Sequence, residues 1–225
     1  CALAPIFGTS VLFFFGHGCN CGFEPANQHE RMMSAQPDHI HALDLPIPET
    51  AALDEDMQKY FAICQDKLGM VPNVLRSYAI APERLRAFIA MYNDLMLSES
   101  GLSRLEREMI ATVVSSENKC FYCVVAHGAG VRELSGDPAL GELMAINYRA
   151  AGLSARQRAM LDFAVKATDR PAELAESDRQ ALREVGFDER DIMDIACISG
   201  FFNMTNRVST ALDRMPNPEY HTKAR

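Results

Sequence analysis

The sequence predicts an all-α protein, and three observations lead to that fold class. Apolar residues recur at helical spacing from about residue 50 onward. Alternating strand patterns with hairpin turns are not evident anywhere in the chain. Capping signatures of the form S-x-x-E and S-x-x-Q stand where new helices should begin. We expect about eight helices, whose apolar faces must pack on one another.

The helices of the first half are marked by local signals at their ends. Gly69 and Pro72 interrupt the first helix, and Pro82 opens the next one in its first turn. Ser103 and Glu106 form a capping box for the third. The predicted ranges are 51–67, from 82 through about 95, 103 to about 115, and 120–133.

The helices of the second half are predicted in the same way. Ser154 with Gln157 is a second capping box, Gly186 closes a short helix, and Asp188 caps a long apolar one. The predicted ranges are 140–150, from 154 onward, 176–185, and from 188 through about 202.

The two capping boxes belong to a possible internal repeat. Gly101–Ile110 and Gly152–Leu161 share five of ten residues at a spacing of 51. Chance recurrence of a Gly-Leu-Ser helix start is an equally weighted alternative. Glu108 of the first copy corresponds to Ala159 of the second, so this carboxylate is not needed merely to build the helix.

The N-terminal region differs in character from the rest. Residues 1–32 begin with an apolar run that lacks the basic flank of a secretory signal, and we interpret them as an extension foreign to the domain. The native start is then predicted at Met32 or Met33. A truncated signal peptide or a lipidated-cysteine region is the alternative. Residues 33–49 form a polar lead-in, and 50–225 a single helical domain.

Composition excludes several classes of protein. In 225 residues, 48% are hydrophobic and 23% charged, which is unlike a disordered chain. The net charge is −8 and no basic block occurs, so we expect no nucleic-acid partner. Since no apolar run reaches the length of a spanning helix, we expect no membrane partner.

The cysteines indicate a reduced protein with one reactive pair. Seven cysteines occur, an odd number spread over a long chain, so a secreted disulfide framework is disfavoured and a cytoplasmic location is predicted. Cys64 and Cys197 stand alone on apolar faces and are expected to be buried. The pair at 19 and 21 is assigned to the extension. His39 and His41, in the lead-in, are expected to be solvated.

The remaining pair carries the chemistry. Cys120, Cys123 and His127 have helical offsets of 0, 3 and 7, which place them within about 60° of one another. The helix N-terminus and the nearby imidazole both favour a thiolate. A low-pKa cysteine beside a resolving cysteine is the arrangement that a peroxide-reducing dithiol requires.

Glu108 is the predicted third member of this site. On one straight helix it would lie about 18 Å from Cys120, so it can take part only if the chain bends between them. Residues 115–118 favour such a break, and a helix hairpin would bring the carboxylate back to orient His127. Glu117 is a less favoured candidate, interpreted as a solvated first-turn carboxylate.

A metal site is a minor alternative. Cys120, Cys123 and His127 with one carboxylate could form a mixed zinc site, but structural zinc usually takes four nitrogen or sulfur ligands and a second C-x-x-C is missing from the domain. We therefore predict no metal and no cofactor.

The pattern E-x11-C-x-x-C-x-x-x-H resembles the core motif of the AhpD-like alkylhydroperoxidases, within the carboxymuconolactone decarboxylase superfamily. The resemblance is closest to the peroxidase-related branch and extends over most of residues 50–220. Gly69–Asn73 with Ala81–Leu85 is similar to that branch's first segment, and Phe202–Arg207 to its final helix.

This resemblance implies an AhpD-like helical fold of two related helical units, with a helix hairpin that carries the C-x-x-C pair, assembled as trimers or hexamers. It implies a hydroperoxide substrate and a dithiol chemistry. Cys123 would attack the peroxide, Cys120 would resolve the sulfenic acid, and His127 with Glu108 would relay the proton. Dithiol proteins of the lipoyl type reduce some relatives, and nothing in the sequence identifies the reductant.

One position departs from the family. The best-studied branch has another His just before the second Cys, where this chain has Tyr122, so that part of the relay is missing or altered and Tyr122 is interpreted as packing. A redox sensor without turnover, or a metal-binding module on the same fold, is the alternative to the enzyme. Lactone decarboxylation is disfavoured, because the decarboxylases of the superfamily lack the cysteine pair.

Overall fold

Ten α-helices form the scaffold of residues 35–225, the part of the chain that the computed structural model describes, and no strand occurs within that range. The all-α prediction is therefore confirmed. The helices are α1 Glu55–Leu68, α2 Asn73–Tyr78, α3 Pro82–Leu97, α4 Arg104–Glu117, α5 Phe121–Ser135, α6 Pro138–Ile146, α7 Ala155–Asp169, α8 Glu176–Glu184, α9 Glu189–Ala211 and α10 Glu219–Thr222. The two that were not predicted, α2 and α10, are too short for apolar periodicity to show.

Three predicted helix boundaries are wrong. Helix α9 continues to Ala211, nine residues beyond the predicted end. The other two errors have a capping cause. Helix α1 begins at Glu55 rather than Ala51, because Asp54 is its N-cap and accepts the Met57 N–H at 3.1 Å. Helix α6 ends at Ile146, four residues early. The side chain of Asn147 accepts a backbone N–H and starts a separate 3-10 turn.

Both predicted capping boxes are present, and the arginine four residues after each serine makes a further bond. The side chains of Ser103 and Ser154 each accept the backbone N–H of the residue three positions later. The side chain of that later residue in turn accepts the backbone N–H of the serine. Arg107 donates to the Leu102 carbonyl at 3.1 Å, and Arg158 donates to the Ala151 carbonyl at 3.0 Å, so each bonds to a different position of the segment before its helix. The repeated arginine thus ties each helix to the chain that leads into it.

Helix α4 lies at the centre of the fold. It packs against α5, α6, α7 and α9. Met109, Ile110 and Ala111 are fully buried in the largest apolar cluster. A helix surrounded in this way has little freedom to shift, which makes it a rigid support for side chains that project from it.

The segment before α1 packs on the end of α9. Ala42 N–H donates to the Leu212 carbonyl at 2.9 Å, and Met215 N–H donates to the Ile40 carbonyl at 3.1 Å. His41 is buried in this contact, so the expectation that it would be solvated is wrong. Residues 36–225 form one compact unit. The predicted extension 1–32 lies outside the described residues.

The two single cysteines differ from each other. Cys64 is buried in a second apolar cluster, as predicted, whereas Cys197 is only half-buried against the main core. Within the described range, every helix is too short or too polar to cross a membrane.

Candidate active site

The two thiols lie at the N-terminus of α5. Cys120 is the N-cap residue and Cys123 belongs to the first turn. The Cys120 N–H donates to the Ser115 carbonyl at 3.0 Å, which closes the turn between α4 and α5. Lys119 takes a positive φ of 56° within this turn. Both sulfurs are free thiols, and the residues are only 1% and 3% exposed.

Glu108 and His127 meet across the interface of α4 and α5. His127 Nδ1 donates to Glu108 Oε2 at 2.7 Å, and both side chains are largely buried. The bond is possible because the chain turns at residues 118–120 and α5 packs back along α4. A carboxylate on Nδ1 selects the ring tautomer and leaves Nε2 as the nitrogen that exchanges protons.

The imidazole is also held by an aromatic ring. Phe202 of α9 lies edge-on to His127, with ring centroids 4.6 Å apart. The ring is therefore bounded by the carboxylate on one side and by α9 on another, so its orientation is set before any substrate arrives.

Gly130 is a residue of this site that the sequence analysis missed. It lies on α5, and a Cβ built there would be 2.8 Å from Glu108 Oε2 and 2.9 Å from its carboxyl carbon. The glycine therefore leaves the space that the carboxylate occupies. A glycine inside a helix and three residues after His127 was the available signal, since such a glycine costs helix stability unless something packs against it.

The two thiols differ in how readily each loses its proton. The pKa of Cys120 is lowered to about 6, because the Cys123 thiol donates to it, as does the Cys123 N–H, while Thr210 and His127 add smaller effects. The pKa of Cys123 is raised well above its ordinary value by the same S–H donation and by burial. The first thiolate of the pair is thus centred on Cys120, where the helix N-terminus stabilises it.

Helix α9 supplies the polar wall behind the thiols. Asn206 and Ser209 are buried and face Cys123, where their polar groups act to lower its pKa. Asn206 Nδ2 donates to Ser115 Oγ at 2.9 Å, and Asn118 Nδ2 donates to Asn206 Oδ1 at 3.0 Å. Asn206 therefore binds the turn that carries the thiols. The sequence analysis included it in a family segment but gave it no role.

The other two candidates do not join the site. Tyr122 is buried, and its hydroxyl accepts the Val74 N–H at 3.0 Å. Burial raises the pKa of Tyr122 well above its ordinary value, so it stays a neutral packing residue, as predicted. Glu117 is exposed at the end of α4. Among residues 35–225, no three His, Cys, Asp or Glu side chains converge as metal ligands would.

The chain is similar to a known family and to several solved structures. Residues 82–139, which include the four candidate residues, match the profile of the Carboxymuconolactone decarboxylase family. An uncharacterized peroxidase-related protein from Silicibacter sp. TM1040, known from its crystal structure, is 63% identical in sequence to this chain. The two structures superpose with a TM-score of 0.81 over 85% of this chain and 100% of that one.

Two further structures have the same fold. An uncharacterized peroxidase-related protein with an alkylhydroperoxidase AhpD core, from Ralstonia eutropha JMP134, is 43% identical, with a TM-score of 0.80 over 85% of this chain and 98% of that one. The debrominase Bmp8 is 19% identical, with a TM-score of 0.69 over 83% and 98%. At that identity Bmp8 supports the fold alone. The chain therefore belongs to the AhpD-like group of the carboxymuconolactone decarboxylase superfamily.

Proposed function

We propose that the protein is an alkylhydroperoxidase-like enzyme that reduces hydroperoxides through the Cys120 and Cys123 dithiol. The observation that carries the proposal is the 2.7 Å bond between Glu108 and His127. It places an oriented base one helical turn beyond a thiol pair at a helix N-terminus. The peroxidase-related relatives support the same general activity.

The proposed reaction begins with a thiolate attack. His127 first accepts a proton from the dithiol, which leaves a thiolate. The Cys123 sulfur takes the terminal hydroxyl oxygen of the hydroperoxide, the O–O bond breaks, and the alkoxide takes the proton from His127 and leaves as an alcohol. His127 then accepts the proton of the Cys120 thiol, the Cys120 sulfur attacks the sulfenic sulfur, and the departing hydroxide takes that proton back and leaves as water. The dithiol loses two electrons and becomes a disulfide, and an external dithiol reductant restores it by exchange.

The order of the two cysteines follows the family resemblance, and the charge distribution imposes one condition on it. The resting thiolate is centred on Cys120, and Cys123 is its hydrogen-bond donor. A proton shift within this S–H···S contact gives the Cys123 thiolate without any change in total charge. Attack by Cys123 therefore needs that shift. The N–H groups of the helix N-terminus and the ring of His127 lie near enough to stabilise the resulting thiolate.

One observation favours a second candidate function. Both cysteine residues are almost fully buried, at 1% and 3% exposed, so a bulky reductant has little access to a Cys120–Cys123 disulfide. A pair that is oxidised by small peroxides but reduced slowly would act as a redox sensor without useful turnover.

Peroxide consumption by the reduced protein with excess small dithiol distinguishes these functions. Multiple turnovers that disappear in Cys120→Ser and in Cys123→Ser would support the enzyme. The matched control is Cys197→Ser, a half-buried cysteine in α9 that should leave turnover intact. A single equivalent consumed, with a disulfide detected by mass, would support the sensor. No consumption of any peroxide would reject both.

A further inference from the structure

A cavity away from the thiols lies between α3, the end of α9 and the segment before α1. Its volume is about 560 Å³, which is in the range of small-molecule sites. Phe88 and Phe201 contribute to its walls. Its mouth is apolar and exposed, and is formed by Leu43, Leu45, Met91 and Met204.

The charge of this cavity is opposite to that of the protein. The chain has a net charge of −8. The residues that line the cavity nevertheless include His41, Arg84 and Arg214. Within the described residues 35–225, no Asp or Glu lines it. Such a surface attracts an anion.

Arg214 is a buried cation without a carboxylate partner among residues 35–225. It is 2% exposed, and its two terminal nitrogens donate to neutral hydroxyls, Ser209 Oγ at 2.9 Å and Ser77 Oγ at 3.0 Å. Its guanidinium also lies 4.8 Å from the centre of the Tyr78 ring. Buried charges are usually paired, so an unpaired guanidinium is costly unless an anion reaches it.

Two hydrogen-bond donors beside the cavity lack acceptors. Within residues 35–225, the buried side-chain nitrogens and oxygens without a partner are His41 Nε2 and Arg214 Nε. The His41 Nδ1 atom accepts the Leu43 N–H at 3.2 Å, so the proton of the neutral ring is on Nε2. Both unpaired nitrogens are therefore donors, which cannot satisfy each other. Each of them calls for an acceptor oxygen.

We propose that this cavity binds an apolar carboxylic acid, with its carboxylate between His41 and Arg214 and its tail along the apolar walls toward the mouth. A carboxylate supplies the missing negative charge and two acceptors at the buried end. A hydrocarbon tail covers the exposed leucines and methionines at the other end. The site is independent of the proposed dithiol chemistry, since neither cysteine lines it.

The test is calorimetric titration of the full-length protein with decanoic acid, beside decanol as the uncharged probe of similar length. We expect saturable binding of the acid, and binding of the alcohol that is weaker by about tenfold or more, because charge-assisted bonds are lost. His41→Phe and Arg214→Gln should each lower the affinity for the acid by a similar factor and leave the affinity for the alcohol unchanged. Thermal unfolding of each variant without ligand verifies that it is folded.

Arg84→Gln is the matched control, because Arg84 is an exposed cation of the same cavity. It should change the affinity for the acid far less than Arg214→Gln does. Equal affinity for acid and alcohol, or unchanged acid binding in His41→Phe, would overturn the proposal. So would the absence of acid binding together with a homo-oligomer that Leu45→Asp dissociates, since the face would then belong to a second copy of the chain.

Discussion

The carboxylate of Glu108 lies directly against the backbone of Gly130, so that a single methyl group at residue 130 would come within 2.8 Å of its Oε2 atom. This contact joins α4 to α5 at the level of His127. It means that the position of the base-orienting carboxylate depends on a missing side chain as much as on any hydrogen bond.

Gly130→Ala should displace the Glu108 carboxylate from His127 without unfolding the protein. The end of a Glu side chain can move, so the backbone should stay in place, and alanine should add up to about 1 kcal/mol of helix stability. We expect peroxide turnover to fall by between about tenfold and 100-fold, because the base loses its alignment.

Gly128→Ala is the control for this prediction. Its Cβ would meet nothing closer than Arg132 Nη1 at 3.7 Å, an ordinary contact. It lies on the same helix, two residues earlier, and should retain turnover. Equal activity of the two alanine variants would show that the packing of residue 130 against Glu108 does not matter for the chemistry.

Glu108→Gln should lower turnover by about 100-fold or more, because a neutral amide cannot stabilise the imidazolium that forms during proton transfer. The matched control is Glu117→Gln, an exposed carboxylate near the end of the same helix. Steady-state peroxide reduction at saturating dithiol measures both. A Glu117 variant as impaired as the Glu108 variant would contradict the assignment.

Alkylation of the reduced protein should report a thiol with an apparent pKa of about 6, against about 8.5 for an unperturbed cysteine. The sign follows from the lowered value: above pH 6 the thiolate predominates and the rate levels off, whereas below it the thiol is protonated and the rate falls. Mass spectrometry of protein given one equivalent of iodoacetamide should find the label on Cys120.

Cys123→Ser should raise that apparent pKa, because the thiol donor that stabilises the Cys120 thiolate is replaced by a hydroxyl in a different position. Preferential labelling of Cys123 in the wild-type protein would contradict the charge distribution. A profile with its midpoint above pH 8 would contradict the stabilisation of the thiolate as a whole.

Tyr122→Phe should leave peroxide turnover close to wild type. The hydroxyl of Tyr122 accepts the Val74 N–H and belongs to the packing between α2 and α5. Its loss leaves that N–H without a partner and should cost about 1 kcal/mol of unfolding free energy. Chemical denaturation measures the cost, and a large loss of turnover at unchanged stability would instead make Tyr122 part of the proton relay.

The local sequence accounts for most of the scaffold and for half of the candidate site. Capping boxes at Ser103 and Ser154 act within one helical turn, so they can be recognised without any knowledge of packing. The grouping of Cys120, Cys123 and His127 on one face follows from helix geometry in the same way.

Relations between distant segments could not be derived from those local rules. The contact of Glu108 with His127 was predicted only on the condition that the chain turns, and neither the space beside Gly130 nor the burial of His41 was foreseen. The role of Asn206 on α9, which faces Cys123 and binds the turn between α4 and α5, was likewise not predicted. These features depend on which helix faces pack together, and that is decided by the burial of apolar surface over the whole domain, which no single segment encodes.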